Sequence, residues 1–181
     1  ELQEKEFARR GGTLEMVQLW VNLPKVHKMS KPGYQTLLNR KIPVVDLGAG
    51  SVARVIAGEL SGVKGSASTF TPVQLLDVRL KKGTRTELPL PAGQNAALFL
   101  LKGDVLVNST EALAGESKLA LLDPKGESVT LEARADSTLL VLGGEPIREP
   151  VASHGPFVMN TREELMQAVE DYRAGRMGHL A

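Results

Sequence analysis

Gly83-Thr-Arg-Thr-Glu-Leu-Pro-Leu-Pro-Ala-Gly-Gln-Asn-Ala-Ala-Leu-Phe-Leu-Leu-Lys-Gly103 decides the fold of this 181-residue chain. The run from Ala96 to Leu101 is apolar without interruption and is stopped by Lys102-Gly103-Asp104. A run of that length suits a buried strand and is too short for a buried helix. Val105, Leu106 and Val107 resume directly after Gly103-Asp104, which predicts a turn that folds the chain back on itself. The stretch therefore reads as a strand, a proline-bounded bend and a second strand, at the centre of a small antiparallel barrel or sandwich.

The flanking sequence carries the same pattern. Val52–Ala57 reads as a short strand, 58–68 as a Gly/Ser-rich loop, and 73–80 as a strand with Leu76, Val78 and Leu80 inward and Asp77, Arg79 and Lys81 outward. Further strands are expected at Lys118–Leu122, Ser128–Glu132 and Thr138–Leu142. Turn signals fall at Gly115, Asp123-Pro124-Lys125-Gly126, Asp136 and Gly143-Gly144. Short strands at such spacing are the signature of an all-β sandwich or barrel. Upstream, residues 1–12 read as an exposed lead-in, and 15–24 alternate like a strand, with Val17, Leu19, Val21 and Leu23 on one face. Residues 25–50 read as an ordered linker broken by Pro32-Gly33, Pro43 and Gly48-Ala49-Gly50. Near the C-terminus, Thr161 with Glu164 three residues on forms a capping box, followed by the helical stripe Leu165, Ala168, Val169, Tyr172 and a stop at Gly175.

The central stretch resembles the first motif of the cupin family, a jelly-roll-like double-stranded β-helix barrel. That motif runs Gly, five residues, His, one residue, His, three or four residues, Glu, six residues, Gly. Anchored on Gly83 and Gly103, it puts Pro89 and Pro91 at the histidine positions and Ala96 at the glutamate. The second motif resembles Pro124-Lys125-Gly126 and puts Val129 at its histidine. None of these side chains offers the imidazole or carboxylate a transition metal takes from such a site, so no metal is expected in this barrel.

Five segments in order resemble one cupin family, the pirins: Gln18-Leu19-Trp20-Val21-Asn22-Leu23-Pro24; Lys28-Met29 with Pro32-Gly33-Tyr34-Gln35; Ile56-Ala57-Gly58-Glu59; Gly143-Gly-Glu-Pro-Ile-Arg-Glu-Pro150; and His154-Gly-Pro-Phe-Val-Met-Asn-Thr161. The resemblance implies an all-β fold with a C-terminal α-helix, of which this chain is the second half of a bicupin. Residues 1–24 would hold a lead-in and the last strand of an N-terminal cupin that is missing here; 25–50 the linker, 51–150 the C-terminal barrel, and 151–181 the closing loop and helix. It also implies iron or another divalent transition metal in the missing barrel, and a quercetin 2,3-dioxygenase activity of the intact protein on a flavonol. This part would then be inactive by itself, with the N-terminal cupin as its partner. A protein-interaction or transcription co-regulator module, and a metal-free barrel for a small ligand, are the competing expectations.

Composition narrows the field. With 22 basic against 21 acidic residues and no basic block, nucleic-acid contact is not expected. No apolar run approaches a membrane span. No signal peptide is visible and cysteine is absent, which points to a reducing cytoplasm and excludes disulfides and thiol catalysis. His27, His154 and His179 are scattered over a linker, a loop and a terminus, without ligand spacing. Asp77 and Glu87 do not read as a catalytic pair. Gln94 and Asn95 read as turn-satisfying amides that could also point into the barrel mouth. Trp20, Phe157 and Met159 are the candidates for an interdomain contact, because aromatic and methionine side chains favour such surfaces.

Overall fold

The computed structural model describes residues 5–177. Helix α1 (Lys5–Arg10) and a single turn, α2 (Lys25–Lys28), bracket an extended segment; β1 (Val44–Gly48) and β2 (Ser51–Ala57) follow. The short hairpin β3 (Glu59–Leu60) and β4 (Val63–Lys64) precedes β5 (Val73–Leu80), β6 (Arg85–Pro89) and the long β7 (Asn95–Val107) and β8 (Glu111–Leu122). Strands β9 (Ser128–Ala133) and β10 (Ser137–Gly144), the pair β11 (Ala152–His154) and β12 (Phe157–Met159), and helix α3 (Arg162–Arg173) complete the chain. The main sheet is antiparallel in the order β1-β2-β5-β10-β7-β9-β6, with β8 also on β7, and curls into a nearly closed barrel. The all-β fold with one C-terminal helix expected from the sequence is the fold observed.

Alternation places the core. β2 and β5 send Ala53, Val55, Leu76, Val78 and Leu80 inward, and β7, β9 and β10 send Leu98, Leu100, Val129, Leu131, Leu139 and Val141 to meet them. All are at most 2% exposed. Burying each such side chain contributes roughly 1.5–3 kcal/mol, so this aliphatic interior is the main source of stability.

Gly103 is not a turn. It lies inside β7 with φ near 114°, beside a bulge in which Thr138 faces Lys102 while Leu139 faces Leu100, leaving Leu101 extra. The bulge lets one strand serve two neighbours: residues 95–102 pair with β10 and 105–107 with β9. Buried Ser137 fixes the corner. Its hydroxyl accepts from the Asp104 N–H at 3.0 Å and donates to the Ala135 carbonyl at 2.8 Å. A Cβ on Gly103 would come within 2.6 Å of Ser137 Cα.

Other expectations also change. Residues 15–24 are extended but form no ladder; a strand exists only where a neighbour takes its N–H and C=O groups, and no described strand pairs with this segment. Val44-Val45, read as part of the linker, are paired in β1 with Ala53 and Arg54. Gly115 and Gly143-Gly144, read as turns, sit inside β8 and β10. The loop expected at 58–68 contains the β3–β4 hairpin. Asp77 keeps the outward parity read for it but is only 7% exposed; it accepts from Arg54 Nη1 at 2.6 Å and Arg79 Nη2 at 3.1 Å. Gly103→Ala is expected to combine backbone strain with overpacking and to cost about 3 kcal/mol. For a chain of this size that is a fall of roughly 10 °C in Tm. A calorimetric melt within error of the parent would refute the close-approach role.

Candidate functional site

Two regions hold the residues singled out in the sequence: the barrel with its mouth, and the tail around α3. In the barrel, Val129 is fully buried beside Leu88, its cross-strand partner. Ala96 is half-buried and shares the inward parity of Leu98 and Leu100. Pro89 and Pro91, by contrast, are exposed. The residues facing the core from that stretch are Leu88 and Leu90, one position earlier, at 1% and 6% exposure. Counting from the motif's terminal glycines thus lands on two side chains that face out of the barrel, because strand parity and not spacing sets which side chain enters it. Leu88, Leu90, Ala96 and Val129 carry no donor atom, and a transition metal needs imidazole, carboxylate or thiolate ligands. The residues at these positions do not fit a metal. Among the described residues no three His, Asp or Glu side chains cluster as a metal site either.

The remaining candidates stay apart. His27 packs its ring on Phe70, centroids 4.9 Å apart, and His154 lies exposed in β11. His179 is outside the described residues. Asp77 on β5 is held by two arginines, while Glu87 on β6, at the edge of the sheet, accepts from the Ser128 hydroxyl; they do not form a carboxylate pair.

At the open end, where β5 and β7 begin and β10 ends, lies a hollow of about 420 Å³. It is lined by outward-facing Val73, Ala97, Leu121 and Leu142, by Gln74, Ala96 and Gly143 of the inward parity, and by the segment around Trp20 and Asn22. Trp20 is 64% exposed there. Gln74 was not singled out in the sequence. Its signal was available: a polar residue at the inward parity of Leu76, Val78 and Leu80.

The tail is organised by polar contacts. Thr161 Oγ1 accepts from the Glu164 N–H at 3.2 Å, and Glu164 Oε2 accepts from the N–H groups of Asn160 (2.9 Å) and Thr161 (3.1 Å), completing the capping box expected from the sequence. The other Glu164 oxygen meets Lys25 Nζ at 3.0 Å. Glu149 accepts from the Lys25 N–H at 2.7 Å and from Asn160 Nδ2 at 3.0 Å. Lys28 Nζ donates to Asn22 Oδ1 and to the Val158 carbonyl, at 2.6 and 3.2 Å. These contacts fasten the extended N-terminal segment to the end of the chain. Leu165 and Ala168 are buried beneath α3, and Phe157 meets Tyr172 edge-on, centroids 6.2 Å apart. Phe157 and Met159 line the groove between α3 and α2, whereas Trp20 lines the barrel mouth, so no single hollow unites the three.

Comparison with known proteins places this architecture. A family profile described as the Pirin C-terminal cupin domain matches residues 75–178. The chain belongs to the pirin family. A Pseudomonas aeruginosa protein, provisionally named a quercetin 2,3-dioxygenase, is 47% identical over 97% of this chain and 61% of its own length. Human pirin is 39% identical over 90% of this chain and 57% of its own. A crystal structure named quercetin 2,3-dioxygenase from Acinetobacter baumannii superposes with a TM-score of 0.93 at 44% identity, covering 97% of this chain and 61% of that one. The chain thus spans about three fifths of the pirins it matches. Among the described residues no helix is long and apolar enough to cross a membrane.

Lys25 first, and then the Asn160 and Thr161 N–H groups, hold the Glu164 carboxyl below the ordinary glutamate range. A depressed folded-state pKa contributes stability above the unfolded value that is lost as pH falls through the folded one. Glu164→Gln is therefore expected to lower Tm at neutral pH, with the gap to the parent closing as the medium is acidified through the carboxylate range. A pH-independent gap in a melting series would contradict this role for the charge.

Proposed function

We propose that this chain is the supporting barrel of a metal-dependent flavonol oxygenase of the quercetin 2,3-dioxygenase type. The chemistry would lie in an N-terminal cupin partner. The observation that carries this reading is that the motif positions Pro89, Pro91, Ala96 and Val129, and the inward Leu88 and Leu90 beside the first two, offer no metal donor, in a chain 44% identical to a structure named quercetin 2,3-dioxygenase. In this reading iron or another divalent metal sits on imidazole and carboxylate donors of that other barrel, where it would activate the flavonol. This chain's residues supply a rigid wall. Trp20, Phe157 and Met159 form the interdomain contact, supported by the exposure of Trp20 and by the half-buried β12. A cytoplasmic location, without membrane or nucleic-acid partners, belongs to the same reading; balanced charge and the absence of cysteine favour it.

A second reading, a protein-interaction module, rests on exposed apolar side chains along one side: Leu119 and Leu121 of β8 at 57% and 79%, and Met16 at 61%. The experiment that separates the two is loss of quercetin absorbance with iron-loaded samples of this chain and of a whole pirin carrying both barrels. The oxygenase reading expects turnover by the latter and none by the former. Turnover by this chain would overturn the assignment of the chemistry, and a two-barrel protein inactive on flavonols would favour the interaction module.

A further inference from the structure

Helix α3 lies across one face of the β11–β12 hairpin, and its two flanks differ. Phe157, which meets Tyr172 of α3, shares that face of β12 with Met159, and their cross-strand partners His154 and Ala152 share it on β11. On the β12 side the strand edge and the helix flank are both taken: Lys28 Nζ donates to the Val158 carbonyl, and Lys25 Nζ meets Glu164. On the β11 side no described segment fills the corresponding place. A trough of about 650 Å³ runs there, between β11 and the flank of α3 that carries Arg162, Met166, Val169 and Arg173.

The backbone along this trough is open. The β11–β12 sheet has two strands, so no described strand pairs with the outer edge of β11. Residues opposite one another in an antiparallel pair aim their N–H and C=O groups both inward or both outward. Val158 aims its carbonyl outward, to Lys28, so its partner Ser153 aims its own N–H and C=O out of the edge of β11. An edge of this kind takes up an extended segment through main-chain hydrogen bonds. Every second side chain of such a segment would point toward α3. The flank it meets is apolar in the middle, where Met166 is 56% exposed and Val169 half-buried, and basic at its ends. Arg162 and Arg173 stand eleven positions apart on α3, about 16 Å along the axis and within about 20° of one direction. Neither makes an ion pair among the described residues. Two arginines against one acidic side chain, Glu170, leave the trough net positive.

We infer that the trough between β11 and α3 is a docking site for an extended, acidic-ended segment of another protein. The segment adds a strand to β11 at Ser153, sets apolar side chains against Met166 and Val169, and brings carboxylates to Arg162 and Arg173. Charge decides the class of segment, because a basic strand would face two guanidinium groups. About seven residues fit: at about 3.3 Å each, the first and seventh share a side and stand about 20 Å apart, within reach of two arginine side chains. The site lies on the flank of α3 opposite the one near Phe157 and Met159. It uses no metal and no barrel residue, so it does not rest on the oxygenase reading.

The probe is the peptide acetyl-Glu-Thr-Val-Thr-Val-Thr-Glu-amide, titrated at low salt into the nitrogen-15-labelled chain and followed by amide chemical shifts. It is expected to saturate with a Kd of about 1 mM or tighter, with the shifts centred on Ser153 and on residues 162–173. The same peptide with Lys in place of Glu, and a form N-methylated along its backbone, are each expected to bind at least about tenfold more weakly. Two variants at exposed positions are expected to weaken the acidic peptide about as much: Ser153→Pro, which removes the edge N–H, and Arg162→Glu combined with Arg173→Glu, with thermal melts checking the fold. No saturable binding would overturn the proposal, as would equal affinity for the lysine peptide or shifts confined to another surface. So would self-association of the chain abolished by the same substitutions, which would make a second copy the occupant. Failure of a two-barrel pirin to bind the peptide would also overturn it, by placing the occupant within the protein. The comparison of peptides needs no variant, so a substitution that fails to fold leaves the test intact.

Discussion

The close approach of Gly103 to Ser137 is the constraint on which the barrel depends. A strand has two edges, and β7 must give one edge to β8 along nearly its whole length while sharing the other between β10 and β9. It can do so only by bending where the sharing changes hands. The bend needs an extra residue, Leu101, a positive φ at Gly103, and an empty Cβ position against the Ser137 backbone. Ser137 then satisfies the Asp104 N–H that the bulge removes from the ladder. With the corner in place, β9 and β6 swing round to bring Val129, Leu131 and Leu88 against Leu98, Leu100, Leu139 and Val141.

That packing decides what the barrel can do. Its middle is closed by aliphatic side chains, and close-packed interiors of this kind leave no space for a ligand. At the end of the strands the inward positions change to Gln74, Ala96 and Gly143, next to the hollow lined by the segment around Trp20. The same inward parity thus carries large apolar residues in the centre and small or polar ones at the rim. The extended segment of residues 15–24 and the tail meet through Lys25, Lys28, Glu149, Asn160 and Glu164, a polar clasp outside the core.

Much of this was legible in the sequence wherever a pattern is local. The alternation in 73–80, the apolar run 96–101 and the capping box at Thr161 each depend on neighbours a few residues away. Glycine misled, because it marks both a turn and a place where two backbones meet closely. Gly103 belongs to the second kind, while Gly115, Gly143 and Gly144 sit in paired strands, and only the fold tells these apart from turns. Most of β8 was missed because its first half, Glu111–Ser117, is mainly polar or small and owes its strand to pairing with β7. That Pro89 and Pro91 lie exposed could not be read from the motif, because a count of residues fixes position along the chain and not the side of the sheet. The clasp was invisible: Lys25 and Glu149 are 124 residues apart.

The central proposal is that the hydrocarbon interior around Leu88, Leu90, Ala96 and Val129 holds no metal, and that metal-borne reactivity would belong to another part of a pirin. Its most direct test is elemental analysis of this chain after incubation with Fe(II) and Ni(II) and gel filtration, beside a two-barrel pirin treated identically. The account predicts metal well below one ion per chain here, and a full ion retained by the two-barrel protein. A stoichiometric ion that survives filtration in this chain would contradict it.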